Sequence, residues 1–109
     1  MEGISIIDYI PHGRDNAITN RELQERLQIT DRQVREYVEQ ARREGVIIIN
    51  LQDGRGYFQT DDIEYIERQY NQNRSRAMSI LVQQKPLRRK LREHGLNPEW
   101  TLRRAGAAQ

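Results

Sequence analysis

The chain has 109 residues, 36% hydrophobic and 31% charged, with 18 Lys and Arg against 16 Asp and Glu. That length fits one domain with an appended arm, and so polar a composition covers only a small core. The absence of cysteine excludes disulfides and thiolate metal sites, and no apolar run approaches the roughly 20 residues that cross a bilayer.

Ile4, Ile6, Ile7 and Ile10 form an apolar stretch that stops at Pro11. One or two helical turns would gather Ile6, Ile7 and Ile10 on one side, with Asp8 and Tyr9 turned away. Pro11-His12-Gly13 breaks the chain, Arg14-Asp15-Asn16 reads as loop, and Ala17-Ile18-Thr19 is too short to assign alone. Thr19 or Asn20 caps a first helix, with Glu22 in its opening turn and Leu23 and Leu27 facing inward together. Gln28-Ile29 is a tight turn.

Thr30-Asp31-Arg32-Gln33 then fits a capping box for a second helix. Val34, Val38 and Ala41, flanked by Tyr37, make its buried stripe; Arg32, Glu36, Glu39 and Arg43 point outward, with Arg35 at the margin. Gly45 ends the helix. Residues 46–49 are β-branched and read as a strand, Asp53-Gly54-Arg55-Gly56 supplies a turn, and residues 57–60 return as the second strand of a hairpin. Alternation along that strand turns one of Tyr57 and Phe58 inward.

From Asp61 the pattern is helical. Ile63, Ile66, Tyr70, Ala77, Ile80, Leu87 and Leu91 recur at spacings of three and four, with Asn73 and Gln84 in the same register. Tyr70 reads as core. An interior proline costs a helix about 3 kcal/mol, so the helix is expected to break near Gln84-Lys85 and a second one to start at Pro86 and run to His94. Gly95 ends it, Asn97-Pro98-Glu99-Trp100 offers one further docking point, and residues 103–109 read as frayed tail.

In order, these elements are a helix-turn-helix followed by a wing. The expected fold is α+β: a three-helix head with a β-hairpin wing over residues 1–60, a C-terminal helical extension over 61–95 and a basic, flexible tail over 96–109. Such a unit lays its second helix into the major groove of DNA, where residues near the helix N-terminus reach base edges. The candidates are Thr30, Arg32, Gln33, Arg35 and Glu36. Arg32 and Arg35 suit guanine or phosphate, because a guanidinium fork matches paired acceptors; Gln33 and Glu36 suit adenine or cytosine edges. Arg55, between glycines at the wing tip, suits the backbone or minor groove. Arg32 has a competing partner in Glu36 at i,i+4, a pairing worth only about 0.2–0.5 kcal/mol, and Glu36 and Glu39 confine groove contacts to the first turn and a half.

Charge is divided along the chain. Residues 1–73 carry 9 Lys and Arg against 14 Asp and Glu, a net −5, and residues 74–109 carry 9 against 2, a net +7. Arg88, Arg89, Lys90 and Arg92 form the densest basic cluster and suit phosphates without sequence information. The row from Ile63 to Leu87 also fits heptad a and d positions, so it is either a dimer seam or one helix packing back on its own head. A homodimer is expected, because one wing and one helix seldom bind tightly alone. No Walker-type loop, metal-ligand spacing or nucleophile–His–acid motif is present, and His12 and His94 lie far apart, so no enzyme activity, metal, cofactor or small-molecule ligand is expected.

The string ITDRQVREYVEQARREGVIII followed by DGRGYF resembles the winged helix-turn-helix family, in the style of biotin-repressor-like N-terminal domains. The residues that carry the likeness are Thr30, Arg32, Val34, Arg35, Val38, Ala41, Gly45, Ile47, Ile48, Ile49, Gly56 and Tyr57, and the match spans residues 4–60. IIDYIPHGRDNAIT together with SRAMSILVQQKPLRRKL also resembles small winged-helix proteins of phages and prophages of Gram-positive bacteria. The resemblance implies sequence-specific binding of double-stranded DNA through the second helix and the wing, in a transcriptional regulator or a replication accessory. It implies the cytoplasm of a bacterial host, with which the acidic start MEGISIID, unlike a signal peptide, agrees. Ala41, where larger aliphatics are common, and the acidic Glu36 and Glu39 depart from a strongly DNA-binding pattern. The alternative is an adaptor or inhibitor that keeps the winged fold and binds protein rather than DNA.

Overall fold

A computed structural model describes residues 5–97; Ile4, the docking segment from Pro98 to Trp100 and the tail over 103–109 lie outside the described residues. The fold is α+β, with helices α1 (Asn20–Leu27), α2 (Asp31–Arg43) and α3 (Ile63–Glu93) and an antiparallel hairpin of β1 (Ile48–Ile49) and β2 (Phe58–Gln59). Two compact units divide the chain, Met1–Asn71 and Gln72–Gln109.

The first helix expected in the head is a single 3-10 turn, Ile6–Tyr9. It buries Ile6 and Ile10, half-buries Ile7 and leaves Asp8 and Tyr9 exposed, as the spacing requires. It stays short because Pro11 forces the residue before it out of the helical region, and Ile10 is extended at φ −101, ψ 110. A second 3-10 turn, Arg14–Asn16, occupies what read as loop.

Both threonine caps form complete capping boxes. Thr19 Oγ1 accepts from the Glu22 N–H at 3.1 Å while Glu22 Oε1 accepts from the Thr19 N–H at 3.1 Å. Thr30 and Gln33 repeat the exchange at 3.1 and 2.9 Å. Each cap supplies about 1 kcal/mol to its helix. Between the helices Gln28 takes a left-handed conformation, φ 56, and its side chain donates to the Glu25 carbonyl at 2.7 Å. Leu23, Ile29, Val34, Val38 and Ala41 close the helix pair over Ile6, Ile10, Ile18, Ile48 and Tyr57.

The hairpin pairs Ile48 with Gln59 and Ile49 with Phe58. The free edge of β2 meets the loop before α1: Ile18 and Tyr57 exchange backbone bonds of 2.9 and 2.7 Å, and Gln59 bonds Pro11 and Gly13 at 2.8 and 2.9 Å. So close is this approach that a Cβ on Gly56 would collide with the Ile18 carbonyl and lie 2.7 Å from Thr19 Cα, at a φ of +97 that already favours glycine. The Gln59 side chain donates to the Ile7 and Ile10 carbonyls at 3.1 and 2.9 Å, tying the first turn to the sheet.

Tyr57 and Phe58 are both buried, where alternation alone turns one of them outward. Tyr57 and Ile48 join the helical core; Phe58 lies on the other face, where Tyr65 of α3 meets it edge-on at 5.4 Å between ring centroids. The open edge of β1 is closed by side chains. Arg42 donates through Nε and Nη2 to the Ile48 carbonyl at 3.1 and 2.9 Å, and Gln69 Oε1 accepts from the Asn50 N–H at 2.8 Å, which removes an edge that would otherwise template further strands.

The expected break near Pro86 is absent: α3 is continuous from Ile63 to Glu93 with Pro86 inside it. Proline removes the bond to the carbonyl four residues back, and that residue, Val82, is exposed, so water can satisfy it. Strong helix formers on both sides carry the helix through. Tyr70 is surface rather than core, 61% exposed, because Tyr65 and Gln69 hold the inward positions of that turn. Of the remaining seam residues Ile66 is half-buried, and Ile63, Ala77, Ile80 and Leu87 are exposed. No helix among the described residues is long and apolar enough to cross a membrane.

Candidate nucleic-acid interface

The outer face of α2 places its candidates at the helix start and then ties them down. Thr30 and Gln33 are engaged in the cap. A bidentate contact to adenine needs both atoms of the Gln33 amide, and its Oε1 already accepts from the Thr30 N–H. Arg32 Nε meets Glu36 Oε1 at 3.0 Å and Arg35 Nη2 meets Asp31 Oδ2 at 2.7 Å, while further along Arg43 meets Glu39 at 2.6 Å. The arginine side chains at the helix start are 84% and 66% exposed, so these pairs are worth a few tenths of a kcal/mol, about 0.3–0.5, and open readily. Over α2 and its C-cap, Asp31, Glu36, Glu39 and Glu44 balance Arg32, Arg35, Arg42 and Arg43.

At the wing tip two ion pairs cross between the hairpin and the second 3-10 turn. Arg14 Nη2 lies 2.7 Å from Asp53 Oδ2, and Arg55 Nη1 lies 3.9 Å from Asp15 Oδ1. The Arg14 hydrogen bond, followed by the backbone N–H of Arg55, holds the Asp53 carboxyl below its ordinary value; the same bond raises Arg14 further. In the α1 cap the backbone N–H and hydroxyl of Thr19 lower Glu22 in the same way. Arg55 is therefore beside an acid, although it keeps half of its side chain in solvent.

Within the second unit, Arg88, Arg89 and Arg92 line a shallow open groove on α3 together with Lys85 and Glu93. Lys90, read with them from the sequence, turns instead to Glu93 at 3.5 Å. Lys85 escaped the reading because it stands outside the continuous run, but its spacing to Arg88, Arg89 and Arg92 at i+3, i+4 and i+7 was the available signal. Arg42, beside the outward Arg43 in sequence, is an edge clamp on the Ile48 carbonyl. Arg14 had no local signal, since its partner lies 39 residues away.

Among the described residues no cluster of His, Asp and Glu has the arrangement of a metal site. No family model, no curated protein and no solved structure matches the chain.

Proposed function

We propose that this chain is a winged helix-turn-helix protein that binds duplex DNA sequence-specifically, serving a phage or prophage in the bacterial cytoplasm as a transcriptional regulator or replication accessory. The observation that carries the reading is the start of α2: a capped helix end, entered by a tight turn from α1 and followed by a hairpin, that presents Arg32 and Arg35 to solvent. The carboxylates on these arginines are weak surface partners, and phosphates or guanine edges compete with them as bidentate acceptors. Lys85, Arg88, Arg89 and Arg92 add contacts that position without reading.

Fluorescence anisotropy with a duplex selected from a random pool tests this. Replacing Arg32 and Arg35 together with alanine should remove the preference for the selected duplex over a scrambled one. Replacing Lys85, Arg89 and Arg92 with glutamine should weaken both duplexes equally and flatten the salt dependence, by about 0.9 in logarithmic slope per lost phosphate contact. No binding of any duplex at about 50 mM salt, where electrostatic contacts are strong, would sink the proposal.

The second reading, a winged adaptor that binds protein, is favoured by one observation. Each outward arginine of α2 is already closed on an acid, in a unit whose residues sum to −5. It predicts no duplex binding and retention of a basic protein partner by the isolated full chain.

A further inference from the structure

Two rows of a heptad run along α3. One holds Ile63, Tyr70, Ala77, Gln84 and Leu91; the other holds Ile66, Asn73, Ile80 and Leu87. All but Ile66 are exposed, Ile63 at 76% and Leu87 at 58%. Isolated exposed aliphatics need no explanation, but a two-row stripe at coiled-coil spacing is a surface made for another helix.

The charges decide which helix. The stretch 61–67 carries Asp61, Asp62, Glu64 and Glu67, whereas 85–92 carries Lys85, Arg88, Arg89, Lys90 and Arg92. A parallel pair of α3 helices would set that basic stretch, which contains no acid, beside its own copy. An antiparallel pair lays the basic end of each helix along the acidic start of the other.

The polar interruptions fix the register. With the pairing centred between Met78 and Ser79, Asn73 falls opposite the partner's Gln84, so the polar positions of the seam share a layer. Ala77 then meets the partner's Ile80, Tyr70 meets the partner's Leu87, and Ile66 meets the partner's Leu91. At the flank Glu67 faces the partner's Arg88. Buried amides placed opposite each other specify register in helix pairs, and here the charges and the amides select the same one.

We propose that α3 is the seam of an antiparallel homodimer, with a second copy of this chain paired in the register that sets Asn73 against the partner's Gln84. This goes beyond the DNA-binding reading, and its tests contain no nucleic acid, so either can fail without the other.

Sedimentation equilibrium of the full chain should give twice the monomer mass of 13.0 kDa. Glu67→Arg should weaken the dimer roughly tenfold by turning two attractive flanking pairs repulsive, and Arg88→Glu in the same chain should restore it. The chain contains no cysteine, so single cysteines report orientation cleanly. Tyr70→Cys and Leu87→Cys both fall at exposed positions and spare the core. Oxidising an equal mixture of the two should yield the mixed dimer, and each alone should not link to itself. A disulfide needs Cα atoms about 4.4–6.8 Å apart, whereas in the antiparallel register each position is displaced from its own copy by about 25 Å of helix. A monomeric mass throughout the micromolar range overturns the proposal. So does self-linking of each single variant, which marks a parallel pair, and so does failure of the double charge reversal to restore the dimer.

Discussion

The two compact units spend their residues in opposite ways. Every buried side chain of the described structure lies within Met1–Asn71, whereas in the second unit the described side chains of α3 from Asn73 onward are exposed apart from a half-buried Arg88. The net charge changes sign at the same place, −5 before Gln72 and +7 after it. In the first unit, charged side chains are drawn into structure: Arg42 clamps an edge strand and Arg14 holds the wing tip. In the second, Lys85, Arg88, Arg89 and Arg92 line an open groove, and Ile80, Leu87 and Leu91 stand exposed along the stripe, with Met78, Leu81 and Val82 exposed outside it. One unit therefore carries the stability of the fold, and the other carries surface that stability does not use.

The strongest test of that division is a pair of truncations. Leu23, fully buried in α1, should cost about 4 kcal/mol when changed to alanine, since a cavity adds to the lost transfer energy. Val82, 59% exposed and off the seam, should change unfolding by less than about 0.5 kcal/mol on the same substitution. Comparable losses in urea titrations would erase the contrast. Gly56→Ala comes next, at about 3 kcal/mol, because the added methyl meets the Ile18 and Thr19 backbone in a conformation alanine avoids. A near-neutral Gly56→Ala would mean that the wing does not need its close seat on the loop.

The arginines sharpen the comparison within the first unit. Arg42→Met keeps the aliphatic stem but removes two charge-assisted bonds to the Ile48 carbonyl, and should cost about 2 kcal/mol. Arg43→Ala, beside it in sequence but paired only with Glu39 at the surface, should cost about 0.5 kcal/mol or less. Equal effects would reduce Arg42 to another solvated charge.

The smallest expected effect is a pH dependence. Asp53 and Glu22 both titrate below their ordinary values in the folded chain, through Arg14 and through the Thr19 cap. A folded pKa below the unfolded one means that their contribution is complete above the unfolded carboxylate range and is lost as pH falls through the folded values. Asp53→Asn should therefore shrink the fall in stability between neutral and acid pH. An acid limb with the wild-type slope would show that the Arg14–Asp53 contact contributes nothing.

What was legible in advance followed sequence distance. The Thr19 and Thr30 caps, the Val34–Val38–Ala41 stripe and the turn at Gly54 are written within four residues of themselves. Arg32 with Glu36 was legible for the same reason, and it is the pair that forms. The Gln59 side chain reaches carbonyls 52 and 49 residues away, and Gln69 an amide 19 residues away, so no local pattern announces either. Of the basic site, four arginines and lysines were read as one cluster because they are adjacent, and helical geometry then exchanged Lys90 for Lys85.

The sequence by itself determined where α1 and α2 start, which faces they bury and where charge changes sign along the chain, because periodicity, capping and composition act over a turn or two of chain. The tertiary structure alone decided that both Tyr57 and Phe58 are inside, since only the arrival of Tyr65 on the second face of the hairpin excludes water there. It also decided that Gly56 must be glycine, that Arg42 is a clamp and that Pro86 sits within one helix. Each of those depends on what a residue meets across space, or on whether water reaches a carbonyl, and neither is encoded in its neighbours.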